Sequence, residues 1–517
     1  MTAPRPSPLR DRLAASLRIV LAAAMLMWPL LVAGRPTVFP DTGLYWWQGR
    51  TAIVQGFGID RGAPNLFDHA VGALVIERTK EDFSTFVAAR SPTYGALLFL
   101  TQHLGTLWLT AALQSLVTAA VFYLVWRIAA PKAAGWTFLT MMAALSAATS
   151  LAFYASFAMP DVFAGLGILI TVALVLYWDR LGRWARLGLW GLLALSLTFH
   201  TSHLLLAILT LPVAVFALWR LGAPRLAILV RAGALAAAIG AATLGLAGAA
   251  AGMRALTGLE AHNPPFLTAR LLADGPGRTY LRRACADADP FFLCRFKALP
   301  LDNSEDILWS DQPGTGVFRV SDFSDRLRLE AEQGRFVRAV ILADPLGVAS
   351  TAARNFSQQL TRFSVDDPLH NPCGLRHVLA DSILRVLVVD LDRCGRDDRP
   401  LMAQSLLFGL HGAALILSAI VIWRLWRARR AMERKKAVGP DGLDDIGRLL
   451  AATGLVGAAV VFNAAICGVL SGPFPRYEAR LIWLVPTLAL MAGCAIAAPA
   501  LEQFRGRWVS HRYLAAR

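Results

Sequence analysis

Asp41 stands directly after Pro40 in the run Arg35-Pro36-Thr37-Val38-Phe39-Pro40-Asp41-Thr42-Gly43-Leu44-Tyr45, just beyond the first long apolar stretch, and Trp46 and Trp47 follow. A carboxylate held at the mouth of a bundle of membrane spans suits chemistry on a lipid-borne substrate. Other chemistry-bearing side chains recur where apolar runs end on the same side: Arg90, Asp161, His200, His203, His262, Arg476 and Glu478. The opposite ends carry mostly arginine. Acids, histidines and arginines gathered on one face point to a site there.

The elements that must position these residues are membrane spans. Of the 517 residues, 56% are hydrophobic, and apolar runs of roughly 18–25 residues recur, each enough for a hydrocarbon core of about 30 Å. The runs are continuous rather than alternating, which excludes a β-barrel. The fold class expected is an all-α polytopic membrane protein. The net charge of +16 is not a nucleic-acid signal, because its arginines flank the spans, where the positive-inside rule places cytoplasmic loops.

Expected spans lie at 17–34, 107–126, 135–157, 162–178, 232–252, 402–425, 449–470 and 480–499. The basic start and apolar run at 19–34 also fit a cleaved signal peptide, but a retained anchor keeps Asp41 away from a free terminus. Residues 35–92 form an outer loop, and Pro92 to Leu104 reads as a short apolar helix at the outer leaflet. Between Leu187 and Trp219 a single helix would run ~50 Å, too long for one span. Two short helices meeting at Thr198-Phe199-His200-Thr201-Ser202-His203 resolve this, with both histidines lining a recessed polar cavity. The Ala/Gly-rich run near 232–252 reads as a packing helix.

The total is about ten transmembrane helices with both termini cytoplasmic. Residues 1–252 make an N-terminal membrane module, 253–401 an extracytoplasmic, mainly helical insert, and 402–517 the C-terminal helices and tail. Four of six cysteines fall in the insert, which fits disulfides in an oxidising compartment. Proximity suggests Cys285–Cys294 and Cys373–Cys394, although four cysteines allow three connectivities. Their spacing is not that of a zinc ribbon. No G-x-x-x-x-G-K-[ST] loop and no solenoid repeat is present.

Pro40-Asp41 with Tyr45 four residues on, Arg90-Ser91-Pro92-Thr93-Tyr94 before the second span, and Pro160-Asp161 opening the fourth resemble the GT-C superfamily of membrane glycosyltransferases. These use polyprenyl-phosphate sugars, as protein mannosyltransferases and lipid A aminoarabinose transferases do. The likeness covers about residues 15–250; beyond that it is architectural. It implies transfer of a sugar from a polyprenyl-phosphate carrier to an extracytoplasmic glycan, lipid or protein, in a bacterial-type cytoplasmic membrane. Asp41 would be the general base or would orient the acceptor hydroxyl, while Arg90 and Arg476 would hold the departing phosphate. Tyr45, Tyr94, Asp161, His200, His203, His262, Arg476 and Tyr477 would join Arg90 in binding substrate. Asp41 has no acidic neighbour where many relatives carry two acids, so a divalent cation is left open and no metal ligand is assigned.

Plainer roles compete at each position. Asp41 and Asp161 are well placed as helix N-caps, Arg90 and Arg476 could bind anionic headgroups, and Glu478 is a local partner for Arg476 or Arg480. His200 and His203 suit structural hydrogen bonds between short helices, and Trp46-Trp47 an interfacial anchor. Competing functions are a transporter or flippase of lipid-linked sugars, an O-antigen polymerase or ligase, and a non-catalytic envelope assembly protein. Convergence of Asp41, Arg90 and Arg476 separates catalysis from the last.

Overall fold

The computed structural model describes residues 8–34, 36–57, 86–87, 90–104, 106–258, 261–286, 290–310, 312–365, 404–434 and 445–494. Over these the chain is helical almost throughout. The N-terminal helices are α1 (Pro8–Leu26), α2 (Trp28–Ala33), α3 (Pro40–Phe57), α4 (Pro92–Leu104), α5 (Leu107–Ala129), α6 (Gly135–Ala148), α7 (Leu151–Ser156) and α8 (Val162–Leu176). Three longer ones follow: α9 (Arg183–Thr198), α10 (Thr201–Arg220) and α11 (Arg225–Thr257). The insert supplies α12 (Phe266–Asp274), α13 (Pro276–Ala284), α14 (Ser304–Trp309), α15 (Phe323–Ala343) and α16 (Pro345–Thr361). The chain then returns through α17 (Gln404–Arg434), α18 (Asp445–Leu470) and α19 (Pro475–Ile482). The two short strands, β1 (Phe86–Val87) and β2 (Ala261–His262), pair in parallel, so the start of the insert lies beside the segment leading to Arg90.

Five helices are long and apolar enough to cross a membrane, namely α5, α10, α11, α17 and α18, or six if the bent pair α15–α16 counts as one. Residues 495–499 of the expected span 480–499 lie outside the described residues; the other remaining expected spans are short or broken, and three breaks have a local cause. Pro29 ends the continuous helix near Met27, and Ser146 Oγ donates to the Met25 carbonyl at 2.6 Å beside the gap. Thr149 separates α6 from α7 because its hydroxyl donates to the Leu145 carbonyl and accepts from Leu151 N–H. Between α9 and α10, His200 is extended and its Nδ1 caps Ser202 N–H at 3.1 Å. The break expected within 187–219 is therefore present, but α10 is long enough for a full span rather than short, and His203 is buried against the Ser196 carbonyl instead of lining a cavity.

The tightest helix crossing lies between α3 and α4, away from the Ala/Gly-rich α11. A Cβ on Gly49 would sit 1.8 Å from the Gly95 carbonyl carbon, and one on Gly95 2.0 Å from the Tyr45 carbonyl oxygen. In α11, by contrast, a Cβ on Gly233, Gly240, Gly248 or Gly252 meets nothing within 4 Å. Small residues permit close approach, but here they do so where the candidate site is built.

The insert has its own core, with Leu272, Leu281, Leu308 and Phe336 among its buried residues. Cys285 and Cys294 form the disulfide expected from proximity; Cys373 and Cys394 lie outside the described residues. The insert sits on the bundle through α16. Gln359 donates to the Phe474 carbonyl at 2.9 Å, Arg362 to that of Pro473 at 2.6 Å, and a Cβ on Gly468 would lie 2.8 Å from that of Gln359.

Candidate active site at the insert-bearing end of the bundle

The α3–α4 crossing sets Asp41 against Arg90. Arg90 lies just before Pro92 opens α4, and Asp41 is in the first turn of α3. Their side chains meet at 2.7 Å. Asp41 does not cap its helix: the Phe39 N–H donates instead to Thr42 Oγ1 at 3.0 Å. Arg476, arriving on α19, places a guanidinium nitrogen 3.9 Å from the same carboxylate oxygen and stacks over Phe39 at 4.2 Å. Burial pushes the Asp41 carboxyl up, but Arg90 and Arg476 outweigh it and hold its pKa below the ordinary aspartate value. Arg90 Nε is buried and has no hydrogen-bond partner among the described residues.

A second acid–base pair lies beneath the first. The segment before Asp161 runs alongside the one before Asp41, with Ala158 N–H donating to the Thr37 carbonyl and Thr42 Oγ1 to the Ala158 carbonyl, both at 3.0 Å. Asp161 occupies the N-cap position of α8 without a side-chain capping bond. Its carboxylate faces Arg480 at 3.5 Å. Arg480 also donates to Ser202 Oγ at 3.1 Å and Asn463 Oδ1 at 2.9 Å, and is 2% exposed. Ser202 in turn contacts His200 Nδ1 at 2.8 Å. His200 is thereby linked to Asp161, whereas His203 Nδ1 pairs with the Ser196 carbonyl at 3.0 Å in the α9–α10 joint.

The remaining candidates fall into place around these pairs. Tyr45 and Tyr94 are fully buried and pack edge to face at 5.3 Å. The Tyr94 hydroxyl donates to Gln114 at 2.6 Å, and Gln114 donates to the Phe157 carbonyl at 2.8 Å. Both rings thus shape the crossing from inside. The Tyr477 ring lies under Arg476 and Arg480, and its hydroxyl accepts from Arg476 at 3.2 Å. His262 is placed by its backbone on β2, paired with Val87. Glu478 is fully buried and accepts from Asn463 at 3.2 Å, so its closest partner is an amide rather than either expected arginine.

Two members escaped sequence reasoning. Arg480 looks like a flanking cation at the start of the last apolar run, yet it is the buried counter-ion of Asp161. Glu305, on α14 of the insert, projects into solvent beside the first cluster, and the charges acting on it are those of Arg476, Asp41, Arg90 and Arg270. No group of His, Cys, Asp and Glu among the described residues could hold a metal ion. Two guanidiniums converging on one carboxylate leave one positive charge in excess, which can attract a further anion. A scan against protein-family models and searches of curated proteins and of solved structures found no match to this chain.

Proposed function

We propose that this protein is a membrane glycosyltransferase of GT-C type, moving a sugar from a polyprenyl-phosphate carrier to an acceptor outside the cytoplasmic membrane. The observation that carries the proposal is the convergence of Arg90 and Arg476, from distant parts of the chain, on Asp41. A glycosyl phosphate is already an activated donor, so its transfer needs cations on the departing phosphate more than a strong nucleophile. Arg90 and Arg476 supply those cations. Asp41, held below its ordinary pKa between them, is a poor proton acceptor and a good orienting group: it fixes both guanidiniums and can hold a hydroxyl of sugar or acceptor. The about ten spans, the cytoplasmic termini and the extracytoplasmic site belong to the same proposal, with the broken helices pairing up to complete the count.

The test is complementation of cells lacking the gene, with equal membrane levels of wild type, Asp41→Asn and Arg90→Ala. Envelope glycans and lipid-linked sugars are read by mass spectrometry. The expected result is a missing sugar modification with accumulated polyprenyl-phosphate donor, restored by wild type and by neither variant. Full restoration by both variants would sink the assignment and favour transport or assembly.

A further inference from the structure

Resting on that reading, we propose that Glu305 accepts the proton of the acceptor hydroxyl, so that the insert completes the catalytic site. Three contacts set its helix beside the turn that carries Arg476, and a fourth observation leaves its carboxylate available. Ser304, its neighbour, accepts from Arg270 at 3.2 Å. Arg270 in turn lies 3.2 Å from where a Cβ on Gly472 would be, on the turn that leads into Arg476. The bonds from Gln359 and Arg362 to Phe474 and Pro473 hold the insert to that same turn. Finally, the Glu305 carboxylate makes no hydrogen bond or ion pair among the described residues, although its backbone N–H is tied to Asn303 Oδ1 at 3.0 Å. A carboxylate without a partner among the described residues, on a helical turn tied through Ser304 and Arg270 to the turn that carries Arg476, is set up to receive something else.

The division of labour follows from the two environments. Asp41 is clamped by cations that favour its charge. Around Glu305, whose side chain is exposed yet lies close against protein, partial desolvation raises the pKa, with Arg476 pulling against it. A base nearer neutrality is better matched to removing a hydroxyl proton. In the transfer, the acceptor oxygen bonds to the anomeric carbon as the bond from that carbon to the phosphate oxygen breaks. The electron pair leaves with the polyprenyl phosphate, whose charge Arg90 and Arg476 offset. The acceptor's proton passes to Glu305, and because that side chain is exposed it then passes to water.

The experiment combines two readouts on full-length protein. Binding of undecaprenyl phosphate to purified wild type, Arg90→Ala, Glu305→Gln and Glu305→Asp is measured by native mass spectrometry, and the same variants are scored by complementation. The expected pattern is undecaprenyl phosphate binding by Glu305→Gln within about twofold of wild type, with transfer reduced about 10²-fold or more. Glu305→Asp should recover part of the transfer, and Arg90→Ala should lose the binding. Wild-type transfer by Glu305→Gln with binding intact overturns the role of Glu305 alone. Loss of binding together with transfer in Glu305→Gln also overturns it, since the residue would then hold the donor. Failure of the wild type to bind undecaprenyl phosphate overturns the donor assignment beneath it.

Discussion

The two ends of α18 carry the same chemistry used in opposite ways. Arg448 lies near its start, and Arg476 follows just past its end, ~39 Å away for a 26-residue helix. At the start, Arg448 forks onto both oxygens of Asp179 at 2.8 Å and donates to the Leu176 carbonyl at 2.6 Å. Arg231 joins from α11, 3.7 Å from Asp179 and 2.9 Å from the Val175 carbonyl. These guanidiniums close the last carbonyls of α8, which no intrahelical N–H can reach. That cluster is a lock. At the other end Arg90 and Arg476 gather on one carboxylate, that of Asp41, and Arg476 also donates to the Tyr477 hydroxyl. Both clusters hold a buried guanidinium Nε without a partner among the described residues, on Arg231 and on Arg90. What separates them is that the lock's cations close the end of a helix, while Arg90 and Arg476 meet on a side-chain carboxylate.

The largest effect that sharpens this contrast is on activity. Arg90→Ala should reduce transfer per folded molecule by about 10²–10³-fold, the usual loss when one charge-stabilising donor is removed. It should lower the thermal midpoint in detergent as well, because Asp41 keeps only Arg476. Complementation and a melting curve on the same preparation decide it. A variant that melts far lower while retaining transfer per folded molecule would make the Asp41 cluster a second lock.

Asp179→Ala should act on stability alone. It leaves Arg448 and Arg231 buried without their counter-ion, and breaking a buried pair costs about 3–5 kcal/mol. Because Asp179 itself is half exposed, about 2–3 kcal/mol is expected here, with transfer per folded molecule preserved. Denaturation in mixed micelles measures the first and complementation normalised to folded protein the second. Equal loss of transfer and stability would tie the lock to catalysis.

The glycine crossing gives the next smaller effect, and it acts on one end only. Gly95→Ala puts a Cβ into the Tyr45 carbonyl, where backbone must move. Overpacking of this kind costs about 1–3 kcal/mol. Because it shifts α3 against α4, it should separate Asp41 from Arg90 and reduce transfer as well. Gly240→Ala on α11, whose Cβ meets open space, is the control and should be silent. A silent Gly95→Ala would show that the crossing does not set the site.

How much of this was legible in the sequence depended on the kind of signal. Asp41, Arg90 and Asp161 announce themselves because each charge stands beside or two residues from a proline at the edge of an apolar run, even though capping and headgroup binding compete as explanations there. Arg480 does not, because a cation flanking a span is what interfacial positioning predicts. Only the long-range approach of α8 to α19 reveals it as the partner of Asp161. Glu305 follows Asn303-Ser304, a sequence that reads as a helix cap and indeed is one, so its second circumstance lies in the docking of the insert. The span at 135–157 was over-read because a single residue, Thr149, interrupts the helix without lowering average hydropathy. Tyr45 and Tyr94 read as substrate contacts because they follow the motif charges, yet one helical turn carries both rings inward.

The smallest effect concerns pH, and its sign differs between the acids. For Asp179, burial raises the pKa, but the hydrogen bond and charge of Arg448, helped by Arg231, bring it below the ordinary value. Asp41 is depressed in the same way by Arg90 and Arg476. Each therefore contributes stability that is present above the unfolded value of about 4 and lost as pH falls through the lower folded value. The thermal midpoint should hold from pH 7 to about 5 and drop below about 4, and Asp179→Asn should flatten that drop. Glu305 runs the other way. Its folded pKa is raised, so its contribution is greatest below the unfolded value and is lost as pH rises through the folded one. Glu305→Gln should then melt no lower than wild type at pH 7, and about 1–2 °C higher, with the difference vanishing near pH 4. A lower midpoint at pH 7 would mean that Arg476 and Arg90 hold the ionised carboxylate in the fold. Glu305 would then belong with Asp179, as a charge spent on holding elements together and unavailable for a proton.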